Sequence, residues 1–165
     1  MALTLRLATE RDLPALLELR LAVDADQQRR FGDDRWSTTI NERSVARALK
    51  SSRVVVGVKR GRIVGTARME TKKPWAIDLE YFTPVSKAVY LHDVDVHPDQ
   101  QRSGIGRQLM ERVKTVATEW PVDAIRLDAY DGDAGGGPFY AKCGFRELGR
   151  TVYRGVPLVY FELIL

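Results

Sequence analysis

The sequence predicts a single α/β domain built on a mixed sheet, and three observations predict it. Residues 3–8, Arg53–Lys59 and Arg62–Glu70 carry the alternating or β-branched pattern of strands. The dipeptides Arg60-Gly61 and Arg154-Gly155 each separate two such runs and read as hairpin turns. Between residues 90 and 142 the pattern then goes strand, helix, strand, helix, the signature of layered α/β architecture. At 165 residues, one domain spanning 1–165 has room for a real core, and two would be cramped.

Taken in order, residues 3–8 (LTLRLA) form the first strand, and Thr9 to Asp12 supply a capping signal for a helix. That helix presents Leu13, Leu16, Leu17, Arg20 and Leu21 along one face, and Pro14 suits its first turn, where amides lack partners anyway. A polar stretch over residues 24–39, carrying Phe31 and Trp36, leads to a second helix over residues 41–50. The strands Arg53–Lys59 and Arg62–Glu70 should pair antiparallel. Residues 72–88 hold Pro74, Pro84 and several aromatics without periodicity, so a covering loop is expected. Next come a strand over 90–96, a helix over 104–119, a strand over 124–129 and a short helix over 133–142. Strands over Arg146–Tyr153 and 157–165 close the chain.

Composition narrows the function classes. A single cysteine, Cys143, excludes an intrachain disulfide, and with only two histidines no metal site is expected. No apolar run reaches the roughly 18 residues of a membrane helix, and Arg6, Glu10, Arg11 and Asp12 interrupt any signal-peptide core. A cytoplasmic protein without a membrane partner is the expectation. The net charge of +4, from 26 basic and 22 acidic residues, is dispersed, so a nucleic-acid partner is not expected.

The most informative segment runs from Val94 to Leu109, from a strand through a turn into a helix that starts near Gly104. Helix N-termini present unpaired N–H groups and a partial positive charge, and glycine lets an anion approach the backbone. Arg102 and Arg107 add full charges, which makes this turn a phosphate cradle. A dinucleotide fingerprint needs a third glycine where Leu109 stands, and a P-loop needs Gly-Lys-Ser/Thr, so both readings fall.

What remains, Gln101-x-x-Gly104-x-Gly106, resembles the acyl-coenzyme A pyrophosphate loop of the GCN5-related N-acetyltransferase (GNAT) superfamily. The strand and His97-Pro98 before it, the helix after it, and the downstream run from Pro138 to Phe145 follow that family's order. The resemblance implies a central, mostly antiparallel sheet of about seven strands flanked by about four helices, with a V-shaped cofactor slot between the strands over 90–96 and 124–129. It implies acetyl-coenzyme A as cosubstrate. Backbone groups of Val94, Asp95 and Val96 are then expected to hold the pantetheine arm, and the segment Gln101, Arg102, Ser103, Gly104, Ile105, Gly106 and Arg107 the pyrophosphate. The resemblance also implies cofactor contacts from Tyr140 and from Asp133, which stands where the family often has Asn before the last helix; the glycines at 135–137 are a poor helix start.

Acetyl transfer to an amine needs a neutral nucleophile, a polarised carbonyl and a proton for the departing thiolate. Tyr140 occupies the family position of the proton donor, and a phenol of pKa about 10 can protonate a thiolate whose acid lies near 8.5. The alternative is an aromatic packed beside Phe139 and Phe145. His92, at the distance before the glycine turn where relatives place a carboxylate or histidine, is the candidate general base; otherwise it is a structural histidine. In a regular strand His92 shares a face with Val94 and Val96, and Asp93 and Asp95 point away, although a bulge would alter that. Those carboxylates either attract a cationic acceptor or are held by neighbouring Arg and Lys. Trp75, Tyr81 and Phe82 either wall an acceptor pocket or anchor their loop. Cys143 reads as a small buried apolar residue, not a nucleophile.

The expected activity is direct acetyl transfer, through a ternary complex, to a primary amine of a small molecule or peptide. The competing expectation is a catalytically idle acyl-coenzyme A sensor. The apolar end of the chain, residues 158–165, suggests a homodimer if it forms an exposed edge.

Overall fold

A computed structural model describes residues 2–32 and 39–165. Trp36 lies outside the described residues. The chain order is β1 (Thr4–Leu7), α1 (Leu13–Phe31), α2 (Glu42–Ser51), β2 (Arg53–Lys59), β3 (Arg62–Glu70), β4 (Ala88–Val96), α3 (Ile105–Glu119), β5 (Ala124–Tyr130), α4 (Gly137–Lys142), β6 (Arg146–Tyr153) and β7 (Val156–Ile164). The seven strands form one sheet in the order β1-β2-β3-β4-β5-β7-β6. All neighbours pair antiparallel except β4 and β5.

Two helical layers cover the sheet. Leu16, Leu19 and Val23 recur on one face of α1 and meet Val45 of α2 and Val54, Val56 and Ile63 of the sheet. On the other side Leu109, Met110, Val113, Val116 and Ala117 of α3 pack on Val55, Met69, Val89 and Leu91. Each of the Val, Leu, Ile and Met side chains among them stabilises the fold by about 1.5–3 kcal/mol through the apolar area it removes from water. Both layers follow from strands that are apolar on both faces at their centres.

Two boundaries and one edge assignment differ from what the sequence predicts. Helix α1 continues through residues 24–31, because Val23 and Asp26 keep its inner face buried and the polar residues simply face water. Asp26 is held there by Arg29 and Arg30. Helix α4 starts at Gly137 and not near Asp133, since the chain first turns back on itself through Gly132 and Gly135, joined by a 2.9 Å hydrogen bond. The last strand is no edge: β7 is paired on both sides, by β5 and β6, and β6 is the outer strand. Residues 158–162 therefore present no open strand edge on which a second copy could pair.

The loop before β4 is anchored on the sheet by its aromatic residues. Phe82 and Ile77 are buried with Tyr90 and Tyr160, and Tyr81 meets the Tyr160 ring edge-on at 5.1 Å. The Tyr160 hydroxyl donates to the Ala76 carbonyl and accepts from the Asp78 amide. Trp75 is 83% exposed.

Candidate active site

The parallel pair β4 and β5 is hydrogen-bonded only from Ala88↔Ala124 to Tyr90↔Arg126. Beyond that the strands part, so residues 91–96 and 127–130 line the two arms of a V. The glycine turn stands at the end of the β4 arm. Gly104 has φ +86°, a left-handed conformation that aims the start of α3 back toward the strand. The first intrahelical bond runs from the Gln108 amide to the Gly104 carbonyl, so the preceding amides have no partner within the helix. Helix α3 also has no side-chain cap. Arg102 and Arg107 are exposed beside this terminus. Ser103 donates to the Gln100 carbonyl, and the Gln101 side-chain amide donates to the Val96 carbonyl at 3.1 Å, which ties the turn to the strand. His97 caps the short turn before it by accepting from the Asp99 amide at 3.3 Å.

A cleft of about 560 Å³ opens where the arms diverge. Its walls include His92, Asp93, Val94 and Asp95 of β4, Asp128 of β5, Tyr140 of α4, and Arg20 and Arg68. The glycine at 135 lets the turn before α4 press against β5: a Cβ there collides with the Tyr130 carbonyl. That close approach brings Tyr140 over the cleft. Its ring is fixed edge-on to Phe139 at 5.3 Å and to Phe145 at 5.8 Å, the packing expected of it, and the same residue lines the cleft. Burial, then the Asp95 charge, pushes the phenol above its ordinary value of 10, so it keeps its proton at neutral pH.

The strand is not regular. Asp93 has φ +51°, and the β3–β4 register shifts between Thr66↔Asp95 and Arg68↔His92. This bulge overturns the alternation expected from the sequence. His92, Asp93 and Asp95 face the α1 side together, and Val94 and Val96 pack on the opposite core with α3. Arg20 of α1 reaches Asp93 at 3.1 Å and Asp95 at 3.5 Å. Arg68 holds Asp93 at 2.7 Å and Glu70 at 3.2 Å. Asp93 and Asp95 are thus held by arginines. Even so Asp95 is pushed up to about 6, because burial outweighs the Arg20 attraction.

His92 Nε2 is buried and unbonded, with Glu70 Oε1 at 3.1 Å but without hydrogen-bond geometry. Burial, then Arg68, pushes the imidazole below 6.5, so it is neutral at pH 7 and can accept a proton. Asp128, on the opposite arm, has its carboxyl raised by burial, an effect that only the protonated form of His92 opposes. Cys143 is 7% exposed and its thiol is raised by burial, unlike an activated nucleophile. Asp133 is exposed in the turn, four residues before α4, and does not line the cleft.

Sequence reasoning missed Arg20, Arg68, Glu70 and Asp128. Signals existed for each. Arg20 interrupts an otherwise apolar helix stripe, Arg68 and Glu70 alternate with Ala67 and Met69, and Asp128 continues the polar face begun by Arg126. Among the described residues, no group of three or more His, Cys, Asp or Glu is placed to hold a metal ion, and no helix is long and apolar enough to cross a membrane.

Residues 18–145 match the model of the GNAT acetyltransferase family. The fold is similar to that of the ribosomal-protein-alanine N-acetyltransferase from Brucella melitensis, at 25% identity over 98% of this chain and 99% of that one, TM-score 0.74. It is also similar to yncA from Salmonella typhimurium, solved with its cofactor acetyl-CoA (21% identity, 100% and 95% covered, TM-score 0.71). A third similar structure is the paia N-acetyltransferase from Thermoplasma acidophilum in complex with coenzyme A (12% identity, 97% and 98% covered, TM-score 0.73). No curated protein matches the chain.

Proposed function

Because the chain belongs to the GNAT family of acetyltransferases, we propose that it transfers acetyl from acetyl-coenzyme A directly to a primary amine held in the same cleft. The observation that carries this reading is the parting of β4 and β5 below a cleft that His92 and Tyr140 both line, with the glycine turn at its end.

The residues present fit the cosubstrate. Strand β4 beyond Tyr90 has lost its β5 partner, so Val94, Asp95 and Val96 offer an edge to the amide-bearing pantetheine arm. The Gln101 side chain now on the Val96 carbonyl gives way to it. The uncapped amides from Arg102 to Arg107, with the two guanidiniums, take the pyrophosphate. Bound acetyl-coenzyme A supplies an activated thioester carbonyl and a thiolate leaving group.

The acceptor enters between α1, α2 and the arms of the V. Carboxylates of Asp24, Glu70, Asp93, Asp95 and Asp128 outnumber the guanidiniums of Arg20, Arg47 and Arg68 on the cleft walls, which favours a cationic amine. Asp128 receives the ammonium opposite His92. Deprotonating an ammonium of pKa about 10.4 at neutrality costs about 4–5 kcal/mol. His92 accepts that proton, directly or through one water, and Tyr140 donates its own to the departing sulfur. Cys143 takes no part, so no acetyl-enzyme forms.

The test is a panel of diamines, arylalkylamines, amino acids and peptides assayed for thiol release with acetyl-coenzyme A. Intersecting initial-velocity lines with a cationic amine support direct transfer. Saturable acetyl-coenzyme A binding with no thiol release from any amine turns the protein into a sensor.

A further inference from the structure

A second cavity, of about 490 Å³, lies at the start of β4 and β5 and shares no lining residue with the acetyl-transfer cleft. Its volume falls within the roughly 300–1,000 Å³ range of small-molecule sites. Thr71, Ser86, Lys87 and Arg126 give it polar groups, and Val85, Trp120, Pro121 and Val122 give it an apolar wall.

Arg126 is the unusual member. It is only 6% exposed, yet among the described residues no carboxylate forms an ion pair with it. Its guanidinium donates to the Tyr90 hydroxyl at 3.1 Å and to the Thr83 carbonyl at 2.8 Å, and lies over the Phe82 ring. Two of five N–H donors are thereby used, and the buried Nε–H has no acceptor. The one carboxylate in register with Arg126 is that of Glu162 on β7. Its oxygens are taken by the Thr83 amide and hydroxyl and by Arg146. A buried cation without an ion-pair partner is a costly arrangement that a bound anion relieves. Lys87, exposed on the same cavity, adds a second positive charge.

We propose that this cavity binds a small amphipathic monocarboxylate, its carboxylate on Arg126 and Lys87 and its hydrocarbon part against Val85, Trp120 and Val122. Planar carboxylates match the guanidinium fork, and the apolar wall selects against bare inorganic anions.

The test is calorimetric titration of the full chain with hexanoate and 4-phenylbutyrate, with hexanol and inorganic phosphate as controls. Both carboxylates should bind saturably, and the two controls should not. Arg126→Gln should abolish binding, and Lys87→Ala, a surface change, should weaken it about two- to fivefold. Should Arg126→Gln fail to fold, Val85→Trp, which fills the cavity, serves instead and should also abolish binding. No saturable binding of either carboxylate, equal binding of phosphate, or hexanoate affinity unchanged by both Val85→Trp and Lys87→Ala overturns the proposal. None of these readouts depends on acetyl transfer, so its failure and that of the proposed function are separable.

Discussion

Replacing Asp95 with Asn should stabilise this protein, although it removes one member of an ion pair. Asp95 sits on the β4 bulge with Arg20 Nε at 3.5 Å, and its carboxyl is pushed from 3.8 up to about 6. A rise of roughly two units corresponds to about 3 kcal/mol at 1.4 kcal/mol per unit. The sign follows from proton binding. Between about pH 4 and pH 6 the folded chain holds a proton that the unfolded chain has released, so this group's contribution to stability falls as pH rises and stays low above pH 6. Asparagine is neutral at every pH and still offers an oxygen to Arg20, which also retains Asp93 at 3.1 Å. Allowing for an imperfect hydrogen bond, the expected gain at pH 8 is about 1–3 kcal/mol, or several degrees of melting temperature for a domain of this size. Urea denaturation of both proteins at pH 4.5 and pH 8 reads it directly, and the gap should narrow at the lower pH. An Asn variant less stable than the parent at pH 8, or a gap that does not change with pH, refutes the reasoning.

Other outcomes follow from the same geometry. His92→Gln should lower turnover by about 10²- to 10⁴-fold and remove a limb of the pH–rate profile that lies below 6.5, since burial and Arg68 depress this imidazole; stopped-flow thiol detection across pH checks both. Asp128→Asn should raise the KM for a cationic amine about tenfold or more, with acetyl-coenzyme A affinity unchanged, as steady-state kinetics can show. Arg102→Gly suits the left-handed backbone at that residue, φ +60°, and so removes a charge without strain. It should weaken acetyl-coenzyme A binding about fivefold in calorimetry, less so at high salt.

Much of the scaffold was legible because local chemistry and burial agreed. The Arg60-Gly61 turn set the β2–β3 hairpin to the residue, and the glycine turn placed the start of α3 within one position. Helix α1 was cut short in the sequence reading because residues 27–30 are polar, yet Val23 and Asp26 continue its buried stripe. The site was legible in its separate pieces and not in its arrangement. Nothing local announces the bulge at Asp93, which is held by Arg20 from a helix 73 positions earlier and by Arg68 from the neighbouring strand. Alternation arguments assume an unbroken pleat, so they put His92 and the two aspartates on opposite faces when the bulge gathers them on one. Asp128 escaped for a similar reason: its position opposite His92 exists only because β4 and β5 part beyond Tyr90 and Arg126.

The central claim is that the side chains lining the parted strands perform acetyl transfer, and Tyr140→Phe tests it most directly. The ring packing against Phe139 and Phe145 is retained and only the hydroxyl is lost. Single-turnover thiol release with a saturating amine should fall by about 10- to 10⁴-fold, with acetyl-coenzyme A affinity unchanged. An unchanged single-turnover rate would contradict the account.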